Sequence, residues 1–192
     1  SFPVKEVSRE GAREKNIRHG HISTLHIWWA RRPLSTSRAT TYAGLVPAPE
    51  SEEEYQRKRQ FIIDLSKWEN SLNRQILERA RREIWESAGG RPPRVLDPFG
   101  GGGAIPLEAL RLGCEVYSND YNPVAVLIQK CTLEYPQKYR EEIEVPVPSG
   151  GRGDGAQSLP SAGEVGEKGR NSSGKNPENT GKFAGGGVIV GV

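Results

Sequence analysis

The chain has 192 residues, 34% of them apolar and 27% charged, with a formal net charge of +3 and 23 glycines beside 14 prolines. That length allows one ordinary core, and the polar composition leaves a sizeable share of the residues outside it. Two cysteines without C-x-x-C spacing exclude a disulfide scaffold and a zinc ribbon. No apolar run reaches the roughly 18 residues of a membrane span, and the N-terminus lacks a signal-peptide layout, so a soluble cytoplasmic protein without a metal site is expected. No residue is methionine, the first included, which points to a piece of a longer chain.

Charge is concentrated at the start: up to Arg38 there are eight Lys/Arg against three Asp/Glu, together with His19, His21, His26 and the pair Trp28-Trp29. Arg31 and Arg32, with Arg18 and the three histidines, form a candidate phosphate-facing patch. The spacing of Ala39, Tyr42 and Leu45 predicts a helix over Leu34 to Leu45 that begins after Pro33 and is closed by Pro47 and Pro49. Ser51 followed by Glu54 is a capping-box signature, and Phe61, Leu65, Trp68, Leu72, Ile76, Ala80 and Ile84 then recur at helical spacing. An unbroken helix of that length would run to roughly 50 Å, so a break near Asn70 to Asn73 and two antiparallel helices are expected. Gly89-Gly90-Arg91-Pro92-Pro93 ends this unit.

The period then changes. Arg94-Val95-Leu96-Asp97 reads as a strand, Gly100 to Gly103 as a loop, Pro106 to Leu112 as a helix stopped by Gly113, and Cys114 to Asp120 as a second strand. Asn122 caps a further helix with Pro123 at its first position and Val124, Leu127, Ile128 and Cys131 along its face; Cys114 and Cys131 are expected to be buried. This β-α-β-α order predicts an α/β protein with a parallel, doubly wound sheet and a ligand site at the carboxyl ends of its strands. Beyond Pro148, 13 of the 23 glycines fall between Gly150 and Gly191, so residues 149–192 are expected to build no core, although Val188-Ile189-Val190 would suit a strand.

The glycine loop carries the chemistry. Glycines after a strand let backbone approach a ligand, and an acidic residue some 20 positions on can accept from ribose hydroxyls; Asp120 lies 20 after Gly100. A P-loop is excluded because no Gly-Lys-Ser/Thr follows. A dinucleotide G-x-G-x-x-G fits poorly, its third glycine falling on Ile105 or Pro106, which argues against a nicotinamide-dependent oxidoreductase. Asp97 before the loop suits a ligand with a positive amino group, such as S-adenosylmethionine, better than a pyrophosphate.

Asp97-Pro98-Phe99-Gly100-Gly101-Gly102 resembles the D-P-F-x-G-x-G motif of class I methyltransferases acting on amino groups of DNA bases. Together with Phe2-Pro3-Val4-Lys5-Glu6-Val7-Ser8, His26-Ile27-Trp28-Trp29-Ala30-Arg31-Arg32-Pro33 and Ser118-Asn119-Asp120-Tyr121-Asn122-Pro123, it resembles a family of adenine-specific DNA methylases whose N-terminal region is catalogued as a domain of unknown function. The resemblance covers Phe2 to Tyr139. It implies an incomplete Rossmann-like class I methyltransferase fold preceded by a helical N-terminal region, with boundaries at 1–90, 91–148 and a glycine-rich tail over 149–192.

The resemblance also implies S-adenosylmethionine as cofactor and DNA as partner. Asp97, Phe99, Gly100, Gly101, Gly102 and Gly103 would surround the methionine portion, Asp120 would hold the ribose, Tyr121 would flank the adenine, and Asn122 would cap the helix beside it. His26, Trp29, Arg31, Arg32 and Pro33 are candidate cofactor or nucleic-acid contacts. No catalytic residue is assigned, because the sequence contains no [Asp/Asn/Ser]-Pro-Pro-[Tyr/Phe/Trp], the element that positions the target amino group; Arg91-Pro92-Pro93-Arg94 lacks both its acceptor and its aromatic. The alternative is a nucleic-acid-binding or partner-binding module that keeps the fold without the chemistry.

Overall fold

A computed structural model describes residues 2–139 and 188–191. Helix α1 (Val4–Glu14) has no counterpart among the elements read from the sequence, since its charged majority and central glycine hide a narrow buried stripe of Val7, Gly11 and Glu14. Gly11 is required by close packing: a Cβ there would lie 2.7 Å from Thr36 Oγ1 on the next helix. That helix, α2 (Leu34–Leu45), has the predicted bounds. Pro33 offers it no side-chain cap, and Glu14 supplies one from α1 instead, its carboxylate accepting from the backbone N–H groups of Leu34 (2.7 Å) and Ser35 (2.8 Å).

Ser51 caps α3 (Glu52–Ser66) by accepting from the Glu54 N–H. The return bond of the box slips by one residue, because Glu54 Oε2 accepts from Glu50 N. The expected break follows: a short 3-10 turn (Trp68–Asn70) separates α3 from α4 (Arg74–Ser87), which Asn73 caps. Both helices lie against α2. The break also resets the helical phase, so Leu72 is exposed, and Leu77 joins Ala80 and Ile84 in the core.

Gly89 and Gly90, both with positive φ, end the helical region. Strand β1 (Arg94–Asp97) leads through the glycine loop to α5 (Ala104–Arg111), which begins two residues earlier than predicted and stops at Gly113 (φ +85°). Strand β2 (Glu115–Asn119) runs parallel to β1, pairing Val95 with Val116 and Asp97 with Ser118. The strand expected near the C-terminus is present as β3 (Val188–Gly191), parallel to β2 on its other side, so the sheet order is β1-β2-β3. The rest of the expected glycine-rich tail lies outside the described residues.

After Asn122, whose side chain accepts from Val124 N, comes α6 (Pro123–Gln129). It widens into a π-helical turn (Lys130–Glu134) before α7 (Tyr135–Lys138). Pro136 accounts for the widening, since its ring nitrogen cannot donate to the carbonyl four residues back. The buried face runs through Ala125, Val126, Ile128, Gln129 and Leu133. Val124, Leu127 and Cys131 are therefore exposed, against expectation, and only Cys114 is a buried thiol. The helix turns this way because Gln129, although polar, is fully buried beneath the glycine loop, where it is hydrogen-bonded to Gly101 and Ser118.

One apolar core draws on both sides of Gly89-Gly90, from Val7, Tyr42, Phe61 and Leu65 to Ala109, Cys114 and Val116. Arg38 on α2 crosses it, completely buried: Nε donates to Leu65 O (2.7 Å), Nη2 to Lys67 O (3.1 Å), and Nη1 faces Glu108 on α5 at 3.4 Å. One guanidinium thus caps the end of α3 and faces the buried carboxylate of Glu108, which Arg111 also pairs with at 2.6 Å. No helix among the described residues is long and apolar enough to cross a membrane.

Candidate functional site

The loop between β1 and α5 is held by side chains from three directions. Asp97 Oδ1 accepts from Phe99 N at 3.1 Å, which turns the chain out of β1. Gly100 N donates to Asn119 O (2.9 Å), and Gly101 N donates to Asp120 Oδ2 (2.8 Å). The second oxygen of Asp120 accepts from Asn122 N at 2.8 Å. Asp120 therefore ties the glycine loop to the start of α6, and a carboxylate has further lone pairs for a ligand. Burial pushes the Asp97 carboxyl above its ordinary value, with the charge of Asp120 adding to the effect and the Phe99 N–H opposing it.

Beneath the loop lie Ser118, marked in the sequence only as part of a motif, and Gln129, which no motif marks. Gln129 Nε2 donates to Gly101 O at 3.0 Å, and its Oε1 accepts from Ser118 Oγ at 2.7 Å. A Cβ on Gly100 would lie 2.4 Å from that hydroxyl and 2.8 Å from the amide nitrogen, so Gly100 is fixed by what lies below it.

Above the loop lie Trp28 and Arg31, from the segment His26 to Pro33. Trp28 rests on Gly101, whose φ is +51°; a Cβ there would meet the indole nitrogen at 2.9 Å. The guanidinium of Arg31 lies over Gly102, where a Cβ would be 3.0 Å from it. Arg31 Nη2 donates to His26 O at 3.4 Å, but its Nε and Nη1 are buried without a hydrogen-bond partner. Burial depresses its pKa.

The remaining candidates separate. Trp29 stacks on Trp28 with ring centroids 4.6 Å apart and is 82% exposed. Arg32 and His26 are exposed, and His26 meets Arg31 through its carbonyl. Pro33 precedes α2, where its carbonyl accepts from the Ser37 N–H and hydroxyl, and it packs near Gly11 rather than at the loop. Phe99 and Tyr121 are 83% and 95% exposed at the carboxyl ends of β1 and β2. His21 leaves the expected basic patch: it is buried, bonded to Glu14 and Ser23, and stacked on Trp68. Among the described residues no three His, Cys, Asp or Glu side chains converge as metal ligands.

Comparison with known families places this arrangement. Residues 1–70 match the family described as "Protein of unknown function (DUF1156)", and residues 70–148 match "D12 class N6 adenine-specific DNA methyltransferase". No curated protein and no solved structure matches the chain. The mixed helices and parallel strands are compatible with an incomplete class I methyltransferase fold. The family that the motifs resemble is thus the one found: a DUF1156 region followed by a D12-class N6 adenine-specific DNA methyltransferase domain.

Proposed function

We propose that the glycine loop, Asp97, Asp120 and Arg31 form an S-adenosylmethionine site, and that the chain supplies the cofactor half of a methyltransferase acting on the exocyclic amino group of adenine in DNA. The observation that carries the reading is Arg31. A guanidinium with two buried, unpartnered nitrogens is costly to hold in a fold unless an anion completes it. It sits over Gly102, where an added Cβ would lie 3.0 Å from it, with two carboxylates at the adjoining strand ends.

That charge pattern fits the amino-acid end of S-adenosylmethionine, which bears a carboxylate and an ammonium side by side. Arg31 would take the carboxylate through a charge-assisted pair. Asp97 would take the ammonium, and a cation beside it would draw its raised pKa back down. The free lone pairs of Asp120 would accept from ribose hydroxyls. When bound, the cofactor supplies an electrophilic methyl group. Gln129 and Ser118 would hold the loop rigid so that the group keeps one orientation. A pyrophosphate would instead face the two carboxylates, which disfavours a dinucleotide.

The test is calorimetric titration of wild type and Arg31→Ala with S-adenosylmethionine and with 5′-methylthioadenosine, which lacks the amino-acid end. Loss of a charge-assisted pair worth about 1.5–3 kcal/mol should weaken S-adenosylmethionine binding at least tenfold and leave methylthioadenosine unchanged. Equal weakening of both ligands would remove Arg31 from this role. DNA binding without cofactor affinity would favour the non-catalytic alternative.

A further inference from the structure

The segment above the glycine loop has two faces. Trp28 and Arg31 lie against Gly101 and Gly102, whereas Trp29 and Arg32 are exposed to solvent. We infer that this outer face is the docking edge for a DNA strand, with Trp29 as the platform for an unpaired base and a neighbouring basic cavity as the seat of a backbone phosphate. The inference rests on the cofactor-site reading for its placement, because the edge lies one indole away from the loop.

Three observations support it. The inner face of Trp29 is covered by Trp28 in a parallel stack, at an interplanar angle of 17°, and the residue is otherwise open to solvent. An indole that is rigid on one side and free on the other is the geometry that stacks a base without ordering cost. Two residues further along the chain, Arg31 and Arg32 border a cavity of about 160 Å³ together with Lys15, Ser23 and Pro33, with the Glu14–His21 pair at its wall. That volume suits one phosphate group. Finally, no acidic residue occurs from Lys15 to Pro49, so the segment carries no negative side chain of its own to repel a polyanion. The carboxylate of Glu14 is taken up by two backbone N–H groups and His21.

The experiment measures binding of a fluorescent oligo(dT) across a salt series, for wild type, Trp29→Ala, Arg32→Ala and Arg74→Ala, with S-adenosylmethionine titrated in parallel. Oligo(dT) offers bases and phosphates but no adenine. Trp29→Ala should weaken binding roughly 5- to 150-fold, the range for one stacked base. Arg32→Ala should lower the salt slope by about 0.7. Arg74→Ala, which removes the same charge from the exposed start of α4, should do neither, and cofactor affinity should stay unchanged in all three.

Unaltered binding by Trp29→Ala, an equal effect of Arg74→Ala, or tighter binding of the matching oligoribonucleotide would overturn the inference. Those failures with cofactor binding intact count against this edge alone. Oligonucleotide binding that follows the predicted pattern without any cofactor affinity counts against the parent reading alone.

Discussion

Gly101→Ala probes the contact on which the site depends, that of Trp28 from the N-terminal region with the loop of the methyltransferase segment. Gly101 has φ +51°, and an added Cβ would stand 2.9 Å from the Trp28 indole nitrogen. The left-handed backbone costs a non-glycine residue about 1–2 kcal/mol. Displacing a packed indole adds roughly 1–3 kcal/mol. The substitution should therefore destabilise the wild-type fold by about 2–5 kcal/mol, but only by about 1–2 kcal/mol in a Trp28→Ala background, where no indole is met. Urea unfolding followed by far-ultraviolet circular dichroism avoids the change in tryptophan signal. A coupling of about 1–3 kcal/mol is predicted, and additivity within about 0.5 kcal/mol would refute the contact.

Glu108→Leu should cost about 3–5 kcal/mol by leaving Arg38 charged and unpaired in the core. Adding Arg38→Met should restore part of that loss, though not all, because the Leu65 and Lys67 carbonyls lose their donor; a double variant less stable than Glu108→Leu would contradict this. For Glu14, burial pushes the pKa up but the Ser35 N–H, His21 and the Leu34 N–H outweigh it, so the carboxyl titrates below its ordinary 4.5. A depressed folded pKa stabilises above the unfolded value, and the gain is lost as pH falls through the folded one. Wild type should therefore lose stability more steeply below about pH 4.5 than Glu14→Gln does, and parallel acid-side slopes would contradict the pairing. Burial pushes the Cys114 thiol up to about 11, while Cys131 is exposed. A thiol reagent at neutral pH should modify one cysteine in the native chain and two after denaturation.

What the sequence shows well is local. The start of α2 after Pro33, the Ser51 cap, the strand Arg94–Asp97 and the Asn122-Pro123 helix start are each written in adjacent residues, and each is where it was expected. What it hides depends on partners far along the chain. Nothing adjacent in the sequence marks Arg38 and Glu108 as core residues, which face each other in the interior, and Glu14 becomes a helix cap only once α1 meets α2. Gln129 is polar, so hydropathy does not mark it as buried, and its burial beneath the loop turns the helix so that Cys131 and Leu127 are exposed. The adjacent indoles illustrate the same limit at the site. Nothing in Trp28-Trp29 says which ring covers the loop and which faces solvent; Gly101, 72 positions beyond Trp29, decides it.

The most direct test of the central claim is isothermal titration of the folded chain with S-adenosylmethionine, beside an Asp120→Ala variant and with NAD as the control ligand. Saturable binding that the variant loses and that NAD does not reproduce is the predicted result. A folded chain that binds NAD in preference, or binds neither ligand, would contradict the cofactor site.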